Sequence, residues 1–92
     1  MIQPFRHAGL EEFFLTGSKA GIQPAHATKL RRQLTLLNTA KNANRTDVPG
    51  WDLHPLKGKL ADRWSIKVNG NWRMIFAFEN ENAVLVDYLD YH

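Results

Sequence analysis

A set of side chains able to move protons and hold anions falls in the second half of the sequence: His54, Lys57, Lys67, Arg73 and the closing run Asp90-Tyr91-His92. Cleavage of a phosphodiester needs a base for the attacking hydroxyl, an acid for the leaving oxygen, and positive donors for the charge developing on phosphorus. His54 and His92 are of a type that titrates near neutrality, and Asp90 could act as a base or orient an imidazole. Lys57, Lys67 and Arg73 could hold the phosphate, the arginine through its planar fork. Tyr91 or Tyr88 could stack on an unpaired base, as recognition of single-stranded RNA often requires. The plain alternative, charged groups pointing into water, fits the same residues. No cofactor is called for, and the His-x-Pro and Asp-x-His spacings form no recognised metal-ligand motif. A glycine-rich phosphate loop, a nucleophile elbow and a Cys-His pairing are all absent from the sequence.

These groups can cooperate only if the backbone puts them on one surface. From residue 63 onward the hydropathy alternates with period two through "RWSIKV", "NGN", "WRMIFAF", "ENEN" and "AVLVDYL", which reads as a three-stranded antiparallel meander. A one-residue slip would move every side chain to the other face, so the turns set the surface. A three-residue first loop, with Gly70 at positive φ, sets Val68 opposite Trp72, Ile66 opposite Met74 and Trp64 opposite Phe76. The same register sets Lys67 directly against Arg73, a like-charge pair that is destabilising unless an anion lies between them. The second turn is predicted to place Phe76 opposite Leu85 and Arg73 opposite Tyr88. Counting on by twos puts Asp90 and His92 on the Arg73 side.

Upstream of the meander the period is helical. "MIQPF" reads as a short extended segment that Pro4 confines to an edge. Leu10, Phe13 and Phe14 share one face of a first helix that Gly17 and Gly21 stop. A longer second helix over residues 23–42 carries Pro24 in its first turn and the stripe Ala27, Leu30, Leu34 and Leu37. Its other face is basic, with Lys29, Arg31, Arg32 and Lys41, and would suit a solvated surface or an anionic partner. The turn-rich stretch that follows contains "WDLHPL", a short strand that Pro55 keeps at an edge or an end, and which carries His54. His7 and His26 are read as surface or packing residues, and Trp51, Trp64 and Trp72 as core.

The expected fold class is α+β: one domain over residues 1–92, with a short N-terminal strand and two helices packed on a mainly antiparallel sheet that ends in the meander. Its 92 residues, 43% hydrophobic, support a single core, which would bury about 60–65% of the unfolded surface. A net charge of +3 favours an anionic partner without marking a general polyelectrolyte binder. The lack of cysteine removes disulfides and thiolate chemistry and points to a reducing compartment. No apolar run approaches a membrane span, so a cytoplasmic protein with no membrane partner is expected.

"LHPLKG" at 53–58, "WSIKVNGNWRMIFAF" at 64–78 and the closing "DYH" at 90–92 together resemble the HigB branch of the RelE/ParE toxin superfamily, the toxins of bacterial type II toxin–antitoxin pairs. The resemblance implies a RelE-like microbial RNase fold and a ribosome-dependent mRNA interferase that cuts codons in the A site by attack of the 2′-hydroxyl on its adjacent phosphate, without a metal. It also implies a cognate HigA-like helix-turn-helix antitoxin. Carried over by motif, His54, Asp90, Tyr91 and His92 match catalytic positions, Lys57 a supporting cation and Arg73 the phosphate-binding arginine. Lys67 is proposed from register alone. On this reading Lys29, Arg31 and Arg32 would meet RNA of the small ribosomal subunit. Two other readings stay open: a gyrase-inhibiting toxin of the ParE type with the same fold, and a non-catalytic RNA-binding module.

Overall fold

A computed structural model describes residues 1–91; the expectation for His92 lies outside the described residues. Helix α1 (Ala8–Thr16) starts where the His7 ring Nδ1 accepts the Leu10 N–H at 2.9 Å, so His7 acts as the N-cap. It ends at Gly17, whose φ of 82° lets its N–H return to the Phe13 carbonyl. Helix α2 (Ala27–Thr39) is entered through a 3₁₀ turn over Pro24–His26 and stops at the extended Ala40. It holds the whole apolar stripe but is shorter at both ends than the predicted 23–42. Four strands follow: β1 (His54–Pro55), β2 (Trp64–Asn69), β3 (Trp72–Glu79) and β4 (Asn82–Asp90).

The strands form one antiparallel sheet in the order β1-β2-β3-β4. Outside β4 the N-terminal segment runs parallel, with bridges Ile2 to Ala83 and Phe5 to Val86, so the edge that Pro4 suggested is where the segment lies. The helices cover one face. Leu10, Phe13, Leu30, Leu34 and Leu37 meet Ile66, Val68, Met74, Phe76 and Val86 in a single buried cluster, as the period-3.6 and period-2 patterns require. Trp51 is fully in this core, while Trp64 and Trp72 are half-buried against it.

The first turn keeps the expected pairs Trp64 with Phe76, Ile66 with Met74 and Lys67 with Arg73. It departs from expectation at its tip, where Asn69 rather than Val68 pairs with Trp72. Val68 is the extra residue of a β-bulge, and a two-residue turn carries Gly70 at φ 58°. The Lys67 carbonyl, which like its N–H points away from β3, accepts the amide of the buried Gln33 from α2 at 2.7 Å, so the backbone beside the bulge is tied to the helix.

The second turn begins in the expected register, with Ala77 opposite Val84 and Glu79 opposite Asn82. Register then shifts at Leu85, which has φ 56°. Beyond this second bulge Arg73 pairs with Leu89, Met74 with Tyr88 and Trp72 with Asp90. The expectation that Arg73 faces Tyr88, and that Asp90 follows on the Arg73 side, is therefore corrected. An extra residue flips the parity of everything after it, so Tyr88 turns into the core and Asp87 and Leu89 take the outer face.

Candidate active site

The sheet face away from the helices carries two rungs of interest. One runs from His54 through Ser65 and Ile75 to Asp87; the next runs from Lys67 through Arg73 to Leu89. Arg63 precedes β2 on the same side. Ser65, Ile75 and Ala77 are buried here although none belongs to the helical core cluster, so the floor of this face is close-packed and its cations stand at the rim. His54 and Arg73 lie two strands apart, about 10 Å, and two residues apart along the strands, about 7 Å. That interval would take one nucleic-acid strand laid across the sheet between them.

His54 is held by its backbone pairing with Ser65 and by its ring, whose Nδ1 lies 3.0 Å from the Asp52 carbonyl. A carbonyl can only accept, so Nδ1 is the donor in that bond, which leaves Nε2 as the ring nitrogen turned to other partners. Asp52 takes φ 52°, a conformation uncommon for an aspartate, which turns its carbonyl toward the ring. Of the expected strand "WDLHPL", only His54–Pro55 is strand, because the residues before it make this turn.

Lys67 is exposed, and its backbone is fixed on both sides. Its N–H donates to the Trp51 carbonyl at 2.6 Å and its carbonyl accepts from Gln33. Arg73, directly opposite, is half-buried, and its Nη1 donates to the carbonyls of Gly70 at 2.6 Å and Trp72 at 3.1 Å. The guanidinium is thus anchored to the β2–β3 turn through one nitrogen. Lys57 is exposed in the segment after β1, three residues past His54, where its backbone precedes a 3₁₀ turn.

The chain after β4 reaches the same turn, because the Tyr91 N–H donates to the Asn71 carbonyl at 2.8 Å. Although Asp90 leaves the Arg73 face by parity, this bond sets Tyr91 beside the turn that Arg73 grips. Tyr91 is 47% exposed and available to stack, whereas Tyr88 is 3% exposed and is not. The suggestion that Tyr88 might stack on a base is corrected accordingly. Burial raises the Tyr88 phenol pKa above its ordinary value, and the hydrogen bond from the Gln23 amide partly offsets this.

Lys29 is half-buried on α2, while Arg31 and Arg32 are exposed; Arg31 stands over the Phe13 ring at 4.9 Å. Sequence reasoning missed Asp87, an acid on the outer face whose Oδ1 caps the Tyr88 N–H. Only knowledge of the Leu85 bulge would have found it. Among the described residues, no three His, Asp or Glu side chains group closely enough to hold a metal ion, and no helix is long and apolar enough to cross a membrane.

Endoribonuclease HigB of Proteus vulgaris is 36% identical over 92 residues, covering the whole of both chains. Residues 3–92 match the HigB-like toxin family, described as RelE-like toxin of type II toxin-antitoxin system HigB. With the match running through the helices, the sheet and the closing residues alike, this chain belongs to the HigB-like family of RelE-like toxins of type II toxin–antitoxin systems.

Proposed function

We propose that the protein is an endoribonuclease that cuts mRNA on the ribosome, in the A site, by transesterification. The 2′-oxygen attacks the adjacent phosphorus, the bond to the 5′-oxygen breaks, and a 2′,3′-cyclic phosphate and a 5′-hydroxyl result. One observation carries the reading: the Arg73 guanidinium and the Tyr91 N–H converge on the single turn over Gly70–Trp72, bringing a cation suited to phosphate and the Asp90-Tyr91 pair to one end of the sheet. The outer-face cations Lys67 and Arg73 take the phosphate, with Lys57 in support. His54, whose Nδ1 is engaged by the Asp52 carbonyl, accepts the 2′-proton at Nε2. Asp90 orients His92, which protonates the departing 5′-oxygen, and Tyr91 stacks on a neighbouring base. Each role has a side-chain candidate, so the reaction is proposed to proceed without a metal.

The exposed cations of α2, Arg31 and Arg32 with Lys29 behind them, are proposed to meet RNA of the small subunit. A HigA-like helix-turn-helix antitoxin is the proposed neutralising partner, and the cytoplasm the proposed compartment. The test is cleavage of mRNA on programmed ribosomes and of the same mRNA free in solution, with wild type, His92→Gln and Arg73→Ala. Cleavage is expected on ribosomes with wild type only, and free RNA should be cut poorly. Full cleavage by His92→Gln, or equal cutting of free RNA at physiological salt, would refute the proposal.

A further inference from the structure

Beneath the site, on the helix side of the sheet, four rings meet that the chemistry above does not use. Tyr88 stacks on Trp72 with centroids 4.7 Å apart, and the edges of His7 and His26 close on Tyr88 at 5.3 and 6.0 Å. The Tyr88 hydroxyl bonds the Nδ1 of His26 at 2.6 Å and accepts the Gln23 N–H at 3.4 Å. Both partners are buried, Tyr88 to 3% and His26 to 6% exposure.

The position of this cluster gives it consequence. Trp72 pairs with Asp90 and immediately precedes Arg73; Tyr88 lies two residues before Asp90. Locking the Tyr88 ring against Trp72 therefore sets the two strand ends that carry the arginine and the acid. An apolar pair of rings would fill the same space but tolerate sliding, whereas a short buried hydrogen bond admits one orientation. Its other end is the 3₁₀ turn that opens α2, so the bond ties β4 to the helix rather than to its own sheet.

We infer that the buried His26–Tyr88 pair is a positioning device for cleavage: it holds the end of β4 so that the Tyr91 N–H stays on the Asn71 carbonyl and Asp90 keeps its place beside the Arg73 turn. Neither residue touches substrate. The inference rests on the endoribonuclease reading, and the test separates the two. Tyr88→Phe keeps the ring and its stack and deletes only the hydroxyl; His26→Ala deletes the other partner; His26→Asn restores a polar atom near the position of Nδ1. Single-turnover cleavage of ribosome-bound mRNA is measured together with hydrogen exchange at the Tyr91 amide.

Tyr88→Phe and His26→Ala are expected to lower the cleavage rate at saturating ribosomes by about ten- to a hundred-fold, the cost of misplacing a reacting group, with half-saturation unchanged. The Tyr91 amide should exchange faster by a similar factor while amides in the middle of β3 keep their protection, and His26→Asn should recover most of both losses. Wild-type cleavage by Tyr88→Phe would overturn the inference. So would a loss of cleavage with the Tyr91 amide still protected, since the bond would then matter by another route. If wild type itself leaves ribosome-bound mRNA intact, the endoribonuclease reading fails, and the exchange data still report whether the pair holds the tail.

Discussion

Replacing Lys67 by Gln should stabilise the protein and weaken its activity together. Lys67 lies directly opposite Arg73, and because its N–H points to the Trp51 carbonyl rather than into β3, the two form the closer, non-hydrogen-bonded type of pair. The Cα atoms in such a pair are about 4.5 Å apart, and with the Arg73 head drawn toward Gly70 the two charges stand roughly 7 Å apart. In water that separation costs about 0.6 kcal/mol, falling to about 0.25 kcal/mol at 0.15 M salt. Both figures agree with the range of about 0.2–1 kcal/mol for cross-strand pairs. Lys67→Gln keeps a long polar side chain at an exposed site and removes only the charge. Urea unfolding in 0.01 M salt should show a gain of about 0.5 kcal/mol, equivalent to about 2–4 °C in Tm for a chain of this size. In 1 M salt, where the screening length is about 3 Å, the gain should vanish. Cleavage of ribosome-bound mRNA should fall in parallel, because the anion that relieves the repulsion is the proposed substrate. A gain that survives 1 M salt, or a stabilised variant that cleaves at the wild-type rate, would refute the reasoning.

Arg73→Lys preserves the charge but loses the fork that grips the turn while facing a phosphate, so cleavage should drop by about 10²–10³-fold, with thermal stability close to wild type; activity within three-fold of wild type would remove Arg73 from the site. Gly21 faces Gly9 so closely that an added Cβ would lie 2.5 Å from the Gly9 Cα. Gly21→Ala should therefore cost about 1–3 kcal/mol by urea titration, and a neutral result would mean that the α1 approach is looser than described. Tyr88 has a folded-state pKa above its unfolded value, so its contribution is fully present below pH 10 and is lost as pH rises through the folded pKa. Wild-type stability should accordingly fall more steeply than that of Tyr88→Phe above pH 10, and parallel curves would contradict the burial of the phenol.

Local chemistry made much of this protein legible in advance. The apolar stripes at 10–14 and 27–37, the helix stop at Gly17 and the alternation from residue 63 each follow from short-range geometry. The Lys67–Arg73 opposition could be read because hairpin register near a turn depends on a few neighbouring residues. His26 shows the limit. By type it could be read as a surface or packing residue, and only the fold places its ring against Tyr88 and Trp72, from residues more than 45 positions away in the chain.

The sequence by itself determined the α+β class, the order of the elements, the pairing along the first hairpin below its tip and at the start of the second, and the residue types available for phosphate chemistry, because these depend on periodicity and turn preference. Tertiary structure alone decided which side of the sheet each late residue takes. Gln33 reaches from α2 to hold the Lys67 carbonyl beside the first bulge, and Leu85 adopts a left-handed conformation that no β-branched or glycine signal announces. Each bulge adds one residue to one strand, and in a structure of period two one residue exchanges inside for outside. Tyr88 thereby became the buried anchor, Asp87 the outer-face acid, and Tyr91 the residue tied to the Arg73 turn.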